Sequence, residues 1–147
     1  MQESERSNNM SSLERFVTAQ ARDFDTALEE IEHGRKRSHW MWYVFPQIQG
    51  LGMSSTAQYY SIKDLQEARD FLAHPVLGRN LLEISNALLR LDTNNPSAVM
   101  GWPDDLKLCS CMTLFEAADP DEPVFGAVLD KFYHGERDRL TLDRLGG

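Results

Sequence analysis

Arg35, Lys36 and Arg37 stand in a row, His39 follows two residues later, and Trp40, Trp42 and Gln47 come just beyond. Residues of these types, in this order, suit the capture of an anion that carries a ring. Arginine presents a planar fork to phosphate or carboxylate, lysine adds a point charge, and an indole offers a stacking face. His39 lies where the charge ends and the apolar run begins. Neighbouring cations favour its neutral imidazole, which can act as a general base, so His39 is the candidate catalytic residue. The plainer alternative is a solvated loop whose cations offset Glu29, Glu30 and Glu32, with His39 bonded to backbone.

Further along, Asp104, Lys107, Cys111 and Leu114 share one stripe of a helix, with Ser110 close to it. Lys107 can serve an anion there, and Ser110 or Thr113 can supply a hydroxyl. The simpler reading is an i, i+3 ion pair between Asp104 and Lys107. His74 before Pro75 is either an acceptor at a helix junction or a site residue. The candidate ligand-binding set is therefore Arg35, Lys36, Arg37, Trp42, Gln47, His74, Lys107 and Ser110. His33 and His134 each precede a glycine at a helix end, where imidazole complements the terminal carbonyls, so neither is taken as catalytic.

Other chemistries find no pattern. Gly50-Leu51-Gly52 lacks the third glycine and the βαβ setting of a dinucleotide fingerprint. No nucleophile-elbow or Walker motif is present. Four scattered histidines and two cysteines give no metal-ligand spacing, and no cofactor is expected. Cys109 and Cys111 are two apart, which suits neither a disulfide nor a redox pair on a helix, so they read as bland thiols. The formal net charge of −8 disfavours general nucleic-acid binding. No apolar run approaches the roughly 18 residues of a membrane span, and no export signal opens the chain. A cytoplasmic monomer with no membrane partner is the expectation.

The elements that must position these residues read as helices. Residues 1–12 are polar and are expected to be a disordered lead-in, with one domain over 13–147. Leu13, Phe16, Val17, Phe24, Leu28 and Ile31 keep helical spacing, and a bend near Ala21 to Asp25 would divide them between two helices. Trp40 to Phe45 is apolar on every side, so periodicity cannot separate helix from strand. Most of this run is expected to pack in the core, with one indole, Trp42 in preference to Trp40, facing a pocket. Gln58 to Ile62 suggests a strand or an extended segment that could pair with part of Trp42 to Ile48. Asp64 and Glu67 make a capping-box-like start to a helix closed by His74-Pro75. Leu77, Leu81, Ile84, Leu88 and Leu91 form the best amphipathic stripe. Pro103 opens a helix burying Leu108, Cys111, Met112 and Phe115. Glu122 to His134 is another, burying Phe125, Val128, Leu129 and Phe132, and Leu140, Leu142 and Leu145 suggest a last short one. The fold class is all-α, with six to eight helices and at most one very short β element.

The run Arg35 to Gln47 followed by Gly50-Leu51-Gly52 resembles a bacterial family, the domain of unknown function numbered 1810. Phe71 to Gly78, Asp104 to Lys107, Met112 to Phe115, and Gly135, Asp138 and Thr141-Leu142 carry the same resemblance. It covers about Leu13 to Leu145 and is close to the family's mycobacterial type member, which implies a mainly α-helical fold. Members are sometimes labelled calpastatin, but that inhibitor is long and disordered and this sequence is globular. The family brings no catalytic residues with it. The late Asp-x-x-Lys, Met and Phe pattern is also loosely similar to the NADAR proteins, helical enzymes linked to ADP-ribose derivatives.

Two functions are then in competition. One is a helical pocket protein that binds an anionic, nucleotide-like or ADP-ribose-like small molecule and hydrolyses it through His39 or an aspartate. The other is a protein-interaction module with an exposed basic, Trp-rich patch and no chemistry.

Overall fold

A computed structural model of the chain describes residues 13–146 in full and residues 2–12 by backbone alone. The lead-in expected over residues 1–12 therefore lies outside the fully described residues. The domain is mainly helical. Among the described residues there are nine helices, six of them longer than one or two turns.

Helix α1 (Gln2–Glu32) runs unbroken through the region where a bend was expected. It contains neither glycine nor proline, and Asp23, of a type favoured at helix N-termini, lies inside it. Its carboxylate instead accepts hydrogen bonds from the Tyr43 hydroxyl and from Arg22. Gly34 ends the helix with φ of 81°, a conformation glycine adopts without strain. His33 Nδ1 lies 2.8 Å from the Glu29 carbonyl oxygen, as a helix-end imidazole should.

The aromatic run forms a single helical turn, α2 (Met41–Val44), and Ser55–Tyr59 forms another, α3. Gln58 and Tyr59 are thus helical, contrary to the strand or extended segment expected there. The Ser54 side chain caps α3 through the Ala57 amide and so favours a helical turn over extension. What remains of the β element is one parallel bridge between Ile48 and Ile62.

Helix α4 (Leu65–Ala73) begins as its sequence promised. Asp64 accepts from the Glu67 amide, and Glu67 accepts from the Lys63 amide. Helix α5 (Leu77–Leu89) buries Leu77, Leu81, Ile84 and Leu88. Lys131 then donates to the carbonyls of Leu89 and Leu91, satisfying the C-terminal end of α5 from another helix. Pro96–Met100 is a short α6.

Helix α7 (Asp104–Ala118) is the centre of the molecule. It packs on α4, α6 and the two helices that follow, α8 (Pro123–Tyr133) and α9 (Arg139–Gly146). Its expected face of Leu108, Cys111, Met112 and Phe115 is buried, but so are Ser110, Thr113 and Leu114. A helix enclosed on most sides has no clean polar face. Helix α5 links α1, α4 and α8 across the core. Buried Gln20 donates to the Tyr43 carbonyl and accepts from Asn80, which ties α1, α2 and α5 together. In α9 the inward residue is Thr141, while Leu140 and Leu142 are exposed. No helix among the described residues is long and apolar enough to cross a membrane.

Candidate functional site

The basic loop after α1 is folded around a carboxylate that belongs to the chain. Glu30 accepts hydrogen bonds from the Arg37 amide at 2.7 Å, the Ser38 amide at 2.9 Å, the Ser38 hydroxyl and the Trp40 indole at 2.9 Å. Burial alone would raise its pKa, but these four donors outweigh burial and hold the carboxyl down at about 2. The Lys36 amide donates to the Val99 carbonyl, and its ammonium donates to the Ser38 carbonyl. That ammonium also pairs with Asp104 at 2.9 Å and lies 5.1 Å from the Trp40 ring centre.

The aromatic run divides as its residues reach the core. Trp40 is 1% exposed, and Met41, Tyr43, Val44 and Phe45 are buried with it. Trp42 is half-buried and faces a small cavity of about 20 Å³, room for a single water. Gln47, Tyr60 and Lys107 share that wall. The Lys107 ammonium lies 6.0 Å from the Trp42 ring centre and 3.6 Å from Asp104. Asp104 thus bridges two cations, Lys36 from the basic loop and Lys107 from α7.

On the far side of Gln47, Gly52 and Lys107 opens a cleft of about 620 Å³. Its walls are the first turns of α7, the end of α8, the 134–138 connection, the start of α9 and the loop at Leu51. Lys107, Arg137 and Arg139 bring positive charge to it, Glu136 and Asp138 negative charge, and Leu51, Leu106, Phe132 and Leu140 apolar surface. Arg137 forks onto Glu116 and donates to the Gly135 carbonyl, which fixes the connection. Asp138 caps α9 through the Thr141 amide and hydroxyl, and its own amide donates to Thr113. The Tyr133 hydroxyl donates to the Asp105 carbonyl, and burial pushes its pKa up. Cys109 also lines the cleft, with its thiol pushed up by burial to about 11, so little thiolate exists near neutrality.

Of the residues singled out from sequence, Gln47, Lys107 and Ser110 line this cleft, and Trp42 lines the adjoining cavity. The Ser110 hydroxyl donates back to the Leu106 carbonyl. Lys36 does not line the cleft but is linked to Lys107, which does, through their shared partner Asp104. Arg35 and Arg37 line a different groove, with Thr26, Glu29, Glu30 and His33. His39 is exposed and lines neither. His74 accepts the amides of Val76 and Leu77 at the start of α5, a capping position. His134, set aside from sequence, takes the left-handed conformation after α8 and does line the cleft. Tyr133, Arg137 and Arg139 were missed. For the two arginines the one signal is the density of charge between Gly135 and Arg139, which reads equally well as a solvated loop. Among the described residues no group of three or more His, Cys, Asp or Glu side chains could hold a metal ion.

The chain is similar over most of its length to proteins already grouped by sequence. No curated protein matches it. The crystal structure of the conserved hypothetical protein Rv1873 from Mycobacterium tuberculosis superposes with a TM-score of 0.90 at 45% identity, covering 92% of this chain and 96% of that one. The model of DUF1810, a protein family of unknown function, matches residues 10–145, and with nearly the whole fold inside that match the chain belongs to DUF1810.

Proposed function

We propose that the chain binds an anionic small molecule of nucleotide-like shape in the cleft between α7, the 134–138 connection and the Leu51 loop. The observation that carries this reading is Lys107. It stands at the wall between cleft and Trp42 cavity, beside an aromatic face, and shares its carboxylate partner, Asp104, with Lys36. A cleft of about 620 Å³ lies within the roughly 300–1,000 Å³ of small-molecule sites, and its mixed lining suits a ligand with a charged end and an apolar or ring end. The reading is one of binding. Hydrolysis through His39 finds no support here, because that ring does not line the cleft.

A thermal-shift panel of mononucleotides, ADP-ribose and sugar phosphates tests it. A ligand at a hundred times its Kd adds about 2.7 kcal/mol, and each kcal/mol raises Tm by about 3 °C in a domain of this size. The shift should vanish in Lys107→Ala. Absence of any shift across the panel would sink the reading.

A second reading has its own observation. Trp102 is 79% exposed, and the exposed Leu106 and Leu140 line the cleft. An interaction surface would use these residues, since Trp40 is buried and cannot form the patch expected from sequence. It predicts a flat thermal-shift panel and a partner lost on Trp102→Ala.

A further inference from the structure

We propose that Lys36 is a positioning residue of the cleft, one that sets its positive potential through Asp104 without touching what binds there. This assignment deepens the reading of the cleft as an anion site and rests on it for its biological purpose.

One carboxylate faces two ammonium groups. Asp104 Oδ2 lies 2.9 Å from Lys36, and Oδ1 lies 3.6 Å from Lys107. The two cations are held very differently. The Lys36 side chain is 8% exposed, and its amide, its ammonium and the neighbouring Ser38 are pinned to Val99, Ser38 and Glu30 respectively. The Lys107 side chain is 30% exposed and faces the cleft. A buried pair at short range is screened less than an exposed one at longer range. Asp104 is therefore committed to Lys36, and the charge of Lys107 is left for the cleft. Removing Lys36 hands the whole of Asp104 to Lys107, and the three-residue sum falls from one positive charge to none.

Iodide reads this potential with no ligand present. Of the three tryptophans, Trp40 is buried and Trp102 is exposed, so in a Trp102→Phe background the half-buried Trp42, whose ring centre lies 6.0 Å from the Lys107 ammonium, is the tryptophan that quenchers reach from solvent, at its exposed edge. The ratio of its quenching by iodide to that by neutral acrylamide reports the local excess of anions. In Lys36→Met the ratio should fall by about two-fold, the effect of one unit charge several ångströms from a monovalent ion. Lys36→Arg, which keeps the charge, should hold the parent ratio, and Asp104→Asn should raise it. A ratio in Lys36→Met equal to the parent overturns the assignment. Should Lys36→Met fail to fold, an unchanged or lower ratio in Asp104→Asn overturns it instead. If the ratios move as stated while no nucleotide shifts Tm, Lys36 keeps its role and the ligand reading fails.

Discussion

At the loop after α1, the carboxylate of Glu30 occupies the place where the sequence suggested an external anion. Three consecutive cations beside an indole read as an anion site, and the fold supplies the anion from the last turn of α1. Glu30→Ala should therefore leave the Trp40 indole and two backbone amides without their acceptor. Orphaning buried donors costs about 1–3 kcal/mol each and charged acceptors bind strongly, so a loss of about 2–4 kcal/mol is expected after partial access of water. Urea denaturation at pH 7 measures it. The pH dependence follows with its sign. The folded carboxyl is held at about 2, below its ordinary value of 4.5. Its contribution is full above about pH 4.5 and is lost as pH falls from there towards 2. The urea midpoint of the parent should fall over that window more steeply than that of Glu30→Ala. Parallel curves would show that Glu30 is not the group responsible.

Among the elements, α4, α5, α7 and α8 were readable, whereas the continuity of α1 and the helical turn of α3 were not. The α5 stripe and the α4 capping residues were visible because each obeys a local rule. The continuity of α1 was hidden because Asp23 and Asp25 are of a type that caps helices, and what Asp23 does instead, accepting from the Tyr43 hydroxyl as well as from Arg22, depends on a residue distant in sequence. The α4–α5 corner shows how a family motif becomes packing. Gly78 stands in the first turn of α5, and a methyl group there would sit about 2.1 Å from the Leu72 carbonyl oxygen of α4. That oxygen is backbone and cannot turn aside. Gly78→Ala should cost about 1–3 kcal/mol through overpacking, although alanine is the better helix former in solution. A lower urea midpoint with an unchanged m-value checks it; a more stable variant would mean that the corner opens freely.

For the molecule as a whole, the candidate site joins residues that the sequence spreads over ninety positions. Gln47 comes from the loop after α2, Lys107 from α7, and Arg137 and Arg139 from the connection into α9. The basic run of Arg35 to Arg37 drew attention because it is consecutive, yet its three side chains diverge, to Asp104 in one case and to a separate groove in two. Convergence of this kind is a property of packing around α7 and leaves no local pattern to read. The same dispersal decides what the molecule can bind. The chain carries a net −8, and Lys36 and Arg137 are already matched by Asp104 and Glu116. Nucleic-acid binding needs a line of cations along a backbone, and each neutralised phosphate adds to the salt dependence of affinity. A cleft with three cations and two carboxylates can hold the one or two phosphates of a mononucleotide but offers no such line. Duplex DNA should therefore give no mobility shift even at about 50 mM salt, a condition that exaggerates non-specific electrostatic binding, whereas the nucleotide panel raises Tm. A salt-sensitive DNA complex at that ionic strength, surviving in Lys107→Ala, would show that the molecule presents a basic surface elsewhere and that the cleft is not where its anions go.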